Sequence, residues 1–207
     1  MCTELICLQQ AQIDAATAIL VSAFNEDPAI RYLINEESAA RNNVIKNLYK
    51  SLLYYCQPYN QVYTTPGDIK GVAAWIPPGH SLNLLRLLQA GFYKLPFQVG
   101  LSRLPRWLEV FKLEQYHHQD MPQPHWYLML LGVAPTYQGQ GIGSLLLQPV
   151  LKQADHEGLP CYLETSTEAA VRFYQRHGFE IVRKSQELAN TARFWTMKRE
   201  PHKGICN

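Results

Sequence analysis

The sequence predicts one α/β domain built on a mixed, mostly antiparallel sheet of about seven strands flanked by helices. Three observations carry that expectation. The chain has 207 residues, 47% of them hydrophobic, enough for one core of ordinary size. Apolar residues recur at helical spacing in some segments and in short strand-like runs in others. Finally, the run 125–133 (HWYLMLLGV) is apolar almost throughout, as a central strand covered on both faces would be.

Residues 3–8 read as a first strand. Ile13, Ala16, Leu20, Ala23 and Phe24 then mark a helix, which Asn25-Glu26-Asp27-Pro28 stops. A second helix is expected over 38–56, with Val44, Leu48, Leu52 and Tyr55 on one face. Strands follow at 61–64 and 71–76, joined through Pro66-Gly67-Asp68 and closed by Pro77-Pro78-Gly79. The segment 81–118 is a leucine-rich helical insertion broken by Gly91, Pro96, Gly100 and Pro105. It reads as packed helices over a sheet edge, as the wall or lid of a substrate pocket, or as an interfacial helix punctuated by Arg86, Lys94, Arg103 and Arg106. His117-His118-Gln119-Asp120 reads as a loop, and with no further ligand motif no metal is expected there. After the 125–133 strand come a helix at 141–156, a strand at 161–165, a helix at 168–177 and strands at 179–184 and 193–198. Gly158-Leu159-Pro160 and Gly178 mark the helix exits. Pro149 falls inside a predicted helix, at a cost of about 3 kcal/mol. The domain is expected to occupy residues 1–200, followed by a tail at 201–207.

Composition excludes several classes. The net charge is only +2 and charged residues make up 17%, below the roughly 25% of an average domain, with no basic run to track phosphates. Nucleic acid is therefore not an expected partner. No apolar run approaches the roughly 18 residues of a membrane span, and the N-terminus lacks a basic-then-apolar leader. The five cysteines, Cys2, Cys7, Cys56, Cys161 and Cys206, are scattered without Cys-x-x-Cys spacing, so reduced thiols and a cytoplasmic protein are expected. The apolar insertion leaves room for a homodimer.

The chemistry-bearing motif is Gln138-Gly139-Gln140-Gly141-Ile142-Gly143-Ser144, between the buried strand and the next helix. Alternating glycines let successive N–H groups converge on an anion at the positive helix end; the bland alternative is a tight strand-to-helix turn. The spacing is neither that of a dinucleotide fingerprint nor that of a triphosphate loop.

The segment LGVAPTYQGQGIG at 131–143, followed by FYQRHGF at 173–179, resembles the acyl-coenzyme A signature of GNAT N-acetyltransferases. His125-Trp126-Tyr127-Leu128 with Leu163-Glu164-Thr165-Ser166 is similar to the puromycin N-acetyltransferase-like branch, which also carries a proline matching Pro149. The resemblance is specific over 125–182. It implies a splayed central strand, acetyl-coenzyme A as co-substrate without a metal, and transfer of the acetyl group to a primary amine by direct attack in a ternary complex.

Residue by residue, the resemblance implies that backbone groups of Leu131, Gly132 and Val133 bind the pantetheine arm. The N–H groups of Gln138, Gly139, Gln140, Gly141, Ile142, Gly143 and Ser144 would hold the pyrophosphate. Gln138 stands where many members carry Arg, and Ala170 where many carry Asn, so two polar contacts are missing. Tyr174 matches the tyrosine that protonates the leaving thiolate, or else is a core aromatic. Tyr127 falls where several members have a glutamate base. Glu164 is therefore the favoured base or ammonium anchor, with His125 as a second catalytic candidate; each could instead be a satisfied strand residue. Asp27, Trp75 and Tyr127 are expected at the acceptor wall. A small, partly apolar amine is the expected acceptor, against a protein or peptide amine, or a non-catalytic acyl-coenzyme A sensor.

Overall fold

A computed structural model describes residues 4–34, 41–99, 104–188 and 192–202. Cys2, Cys206, Gly100 and Arg103, and most of the expected tail, lie outside the described residues. Seven strands, β1 (Ile6–Cys7), β2 (Val62–Thr64), β3 (Gly71–Ile76), β4 (Trp126–Val133), β5 (Cys161–Thr165), β6 (Glu180–Leu188) and β7 (Ala192–Arg199), form one sheet. Their order is β1-β2-β3-β4-β5-β7-β6, and only the β4–β5 pair is parallel.

Helices cover both faces. On one face, α1 (Ile13–Phe24) buries Ile13, Ala16, Thr17 and Leu20 and packs against α3 (Arg41–Cys56). On the other lies α7 (Ile142–Glu157), whose Leu146, Leu147, Val150, Leu151 and Ala154 pack against β3 and β4. Between α1 and α3, the segment read as a simple stop contains a further helix, α2 (Pro28–Leu33). Proline fits its first position because that N–H needs no intrahelical partner, and Asp27 caps it by accepting from the N–H groups of Ala29 and Ile30.

The insertion is helical: α4 (Leu84–Gln89), α5 (Leu95–Val99) and α6 (Leu104–Asp120), with exposed Leu85, Tyr93 and Phe97 on its outer side. The expected loop at residues 117–120 is instead the last turn of α6. Asp120 moors that turn to the sheet. Its carboxylate accepts hydrogen bonds from Tyr162 Oη (3.1 Å), Thr196 Oγ1 (2.8 Å) and Arg183 Nη2 (2.8 Å), on β5, β7 and β6. The final helix, α8 (Glu168–Gln175), is capped by Thr167 Oγ1, which accepts from the Ala170 N–H. No helix among the described residues is long and apolar enough to cross a membrane.

Two features of β4 position the site. Ala74 pairs with Leu130 and Trp75 with Leu128, so Met129 is an extra residue, a β-bulge. The bulge reverses the side-chain phase. Tyr127, Met129 and Leu130 face α1 and α3, whereas Trp126, Leu128, Leu131 and Val133 face α7. Simple alternation, which puts Leu131 with Tyr127 and Met129, fails for this reason. The second feature is the short ladder to β5, which joins only Trp126, Tyr127 and Leu128 to Cys161, Tyr162 and Leu163. Past Leu128, β4 is paired on its β3 side alone.

Candidate active site

A cavity of about 1230 Å³ starts at the glycine loop, runs along the unpaired part of β4 and ends beneath the insertion. It exceeds the roughly 300–1,000 Å³ of a single small-ligand pocket, so it has room for two reactants side by side.

At one end the loop residues 138–144 enter α7. Gly139 (φ +76°) and Gly141 (φ +79°) have left-handed backbone in which L side chains are strained, although a Cβ there would meet nothing within 4 Å. Conformation, not crowding, therefore requires glycine. Left-handed residues alternating with ordinary ones turn successive N–H groups to one side. No side chain caps the N-terminus of α7, so the first-turn donors are left to an external acceptor. That donor set, uncharged and convergent, fits a pyrophosphate. The Gln138 side chain points elsewhere: its Nε2 donates to the Val133 carbonyl at 3.1 Å.

In the middle, Leu131, Gly132 and Val133 border the cavity with β4 edge groups that have no β5 partner. Gly132 has a packing reason as well. A Cβ there would lie 2.8 Å from Leu20 Cδ2 and 3.0 Å from Phe24 Cε2, so glycine lets α1 approach the strand. Opposite, α8 contributes Ala170, Phe173 and Tyr174. Tyr174 is 7% exposed, and its hydroxyl takes no hydrogen bond among the described residues. Burial pushes its ionisation well above the ordinary phenol range, so it keeps its proton at any physiological pH.

At the far end, the end of β5 presents Glu164. Its Oε2 accepts a hydrogen bond from Tyr127 Oη at 2.7 Å, and both residues line the cavity. Burial pushes the Glu164 carboxyl up to about 7, held back by the charge of His117 and by the Tyr127 hydrogen bond. A carboxylate titrating near neutrality is suited to accept a proton under physiological conditions. Asp27 lies beside it, spanning elements through Ser166 Oγ, which donates to Asp27 Oδ2 at 2.6 Å. The remaining wall is mostly apolar, with Leu48, Tyr49 and Leu52 of α3 and Leu82, Leu87, Phe92, Trp107 and Leu113 of the insertion, and with Glu114 among its polar members.

Of the residues singled out from sequence, Tyr174, Glu164, Tyr127, Asp27 and the 131–133 backbone share this cavity with most of the loop: Gln138, Gly139, Gly141, Ile142, Gly143 and Ser144 line it. Gln140 does not, its side chain donating to the Thr136 carbonyl. Two others are elsewhere. Trp75 is fully buried on the α7 face, because alternation along β3 sends Ala74 and Ile76, not Trp75, toward the acceptor side. His125 sits just before β4, outside the cavity lining, with its Nε2 2.6 Å from His117 Nε2. Residues missed from sequence include Trp107 and Glu114, both on α6; only the apolar excess of 81–118 hinted at such a wall. Among the described residues no cluster of His, Cys, Asp and Glu is arranged to hold a metal ion.

Comparison with known proteins adds four findings. The family model described as Acetyltransferase (GNAT) family matches residues 105–179. An uncharacterised N-acetyltransferase of Schizosaccharomyces pombe is 27% identical over 172 residues, covering 79% of this chain and 69% of its own. Among solved structures, a histone acetyltransferase HPA2 and related acetyltransferase from Corynebacterium glutamicum superposes with a TM-score of 0.67 at 22% identity, covering 97% of both chains. A Drosophila melanogaster polyamine N-acetyltransferase, described as forming N-acetylagmatine, has a TM-score of 0.60 at 14% identity, covering 95% of this chain and 99% of its own.

Proposed function

We propose that this chain, whose residues 105–179 match the GNAT acetyltransferase family model, moves an acetyl group from acetyl-coenzyme A to a primary amine of a small, partly apolar acceptor. The observation that carries the reading is the interrupted β4–β5 ladder, which opens a strand edge directly between an anion-binding helix start and the Glu164 carboxylate. Acetyl-coenzyme A supplies the activated acyl carbon as a thioester. The chain supplies the rest.

Loop N–H groups of residues 138–144 hold the pyrophosphate, helped by the positive end of α7. The unpaired edge at Leu131, Gly132 and Val133 holds the linear arm as an added strand would be held. An ammonium ion has no lone pair, so the acceptor must first lose a proton; Glu164 takes it, directly or through water, steadied by Tyr127. Amine attack then forms the C–N bond and breaks the C–S bond; Tyr174, protonated and making no hydrogen bond among the described residues, donates its proton to the departing sulfur and is reprotonated by the proton that the nitrogen sheds on becoming an amide.

The acceptor class rests on the far end of the cavity. Leu82, Leu87, Phe92 and Trp107 roof it, which suits a compact apolar amine better than a peptide N-terminus, whose chain must lead out of the cavity. Drosophila polyamine N-acetyltransferase offers a precedent for small amines on this fold.

The test is thiol release from acetyl-coenzyme A against a panel of aminonucleosides, polyamines, arylalkylamines and peptide N-termini. Turnover of a small amine supports the proposal. Turnover of peptides alone overturns the acceptor class, and coenzyme A binding without transfer to any amine overturns the catalytic reading in favour of a sensor.

A further inference from the structure

Behind the Glu164–Tyr127 pair lies a second group of ionisable side chains that the reaction above does not use. His117, in the last turn of α6, is 7% exposed and packs against two aromatic rings: Tyr162, stacked at 4.5 Å and 13°, and Tyr127, tilted at 4.4 Å. Its Nε2 is 2.6 Å from the Nε2 of His125, whose Nδ1 is 2.8 Å from the Gln123 carbonyl. The Nδ1 of His117 is buried and has no hydrogen-bond partner among the described residues; Glu114 Oε2 lies 3.8 Å away.

Counting protons decides the charge. A carbonyl only accepts, so His125 Nδ1 carries a hydrogen. If His125 is neutral its Nε2 is a lone pair, and the hydrogen between the rings belongs to His117 Nε2. A neutral His117 would then bury a bare Nδ1 lone pair with no donor to meet it, a cost of about 1–3 kcal/mol. A proton on Nδ1 instead places a positive N–H opposite the Glu114 carboxylate, an ion pair at 3.8 Å in place of a lone pair facing an anion. Neutral His125 agrees with its depressed basicity, which its burial causes.

We propose that His117 is a resident imidazolium, hydrogen-bonded to a neutral His125, and that this buried cation keeps Glu164 ionised and able to take the acceptor's proton. The role rests on the reading of Glu164 as the base, and His117 acts through Glu164 as a positioning residue. The link runs through Tyr127, whose ring lies 4.4 Å from that of His117 and whose hydroxyl donates to Glu164 at 2.7 Å; among the described groups acting on Glu164, Tyr127 of β4 and Glu114 and His117 of α6, only His117 can be positive. Around His117 itself stand Glu114 and the exposed His118 of its own helix, His125 and Tyr127 along the β4 segment, and Tyr162 of β5. Asp120 of the same turn is occupied by Arg183, Tyr162 and Thr196.

The test needs no acceptor. His117→Phe keeps a ring against the two tyrosines and removes the charge. The Glu164 carboxyl carbon, assigned by its loss in Glu164→Gln, is followed by NMR against pH in the full chain. The midpoint should rise by about one pH unit or more in His117→Phe; an unchanged or lower midpoint overturns the proposal. If His117→Phe does not fold, nitrogen-15 spectra of the unaltered chain decide. Two protonated ring nitrogens on His117 at neutral pH support the proposal, and a bare Nδ1 refutes it. If every amine fails in the thiol-release assay, the acetyl-transfer reading falls while these spectra still decide the charge of the pair. If transfer proceeds and the Glu164 midpoint is unmoved by His117→Phe, only the pair's role falls.

Discussion

Replacing Glu164 by Gln should make the protein less active and more stable, and the second effect can be sized from the structure. The carboxyl titrates near 4.5 in an unfolded chain and at about 7 in the fold, because burial penalises its charge. Between those values the folded state holds a proton that the unfolded state has released, so this group's contribution to stability is fully present below about pH 4.5 and is lost as pH rises to about 7. At about 1.4 kcal/mol per pH unit, the accumulated loss is about 3 kcal/mol. Gln has the same shape, can still accept the Tyr127 hydrogen bond through its Oε1, and carries no charge to bury. The variant should match the parent near pH 4.5 and exceed it by up to about 3 kcal/mol near pH 8.5, or about 6–12 °C in Tm for a chain of this length. Urea unfolding at the two pH values measures it, since the quantity of interest is the change in the difference between the proteins. An equal difference at both pH values, or a variant less stable at high pH, would refute the argument that a buried ionising carboxylate is responsible. In the same variant kcat/KM should fall about 10²–10⁴-fold, and the acidic limb of the parent profile, centred near 7, should vanish.

Other substitutions probe the remaining parts of the cavity. Tyr174→Phe removes the proton donor but no packing, so kcat should fall about 10²-fold or more with coenzyme A affinity unchanged by calorimetry; an equal loss of affinity would make the residue a binding group instead. Gly141→Ala places a side chain on backbone at φ +79°, so the loop should refold or strain by about 1–2 kcal/mol, read as weaker coenzyme A binding with little change in Tm. Gly132→Ala forces a methyl to 2.8 Å from Leu20 and 3.0 Å from Phe24, and should cost about 1–3 kcal/mol of stability in thermal unfolding.

The parts most legible in the sequence are those whose pattern leaves one choice. The β4–loop–α7 unit combines an apolar run too short for a membrane with glycines at alternate positions, and both survive in the structure with shifts of a residue at the ends. The bulge at Met129 was invisible for a physical reason: in a strand apolar on both faces, a phase reversal leaves no mark in the hydropathy pattern. Asp27-Pro28 shows a different ambiguity, since the same dipeptide ends one helix and begins the next, and six residues are too few to show a period. The His117–His125 contact could not be read because it depends on α6 continuing to Asp120 and reversing into β4, which is a tertiary outcome. Trp75 lies in the region that borders the acceptor site, but the period of two along β3 turns its side chain to the opposite face.

The short β4–β5 ladder also bears on how the domain melts. Three residue pairs are a slender join for a seven-stranded sheet, and hydrogen bonding alone would suggest two lobes that unfold separately. The side-chain layers argue otherwise. On one face Val72, Leu130 and Tyr162 belong to one buried cluster; on the other, Ala73, Leu128, Leu163 and Met197 belong to another, so both clusters bridge the gap. Cohesion passes sideways through the two layers, much as the plies of a laminate carry load across a split in the sheet between them. The domain should therefore unfold in one cooperative transition, while amides on the open edge of β4 exchange with solvent faster than their position in the middle of the sheet would suggest.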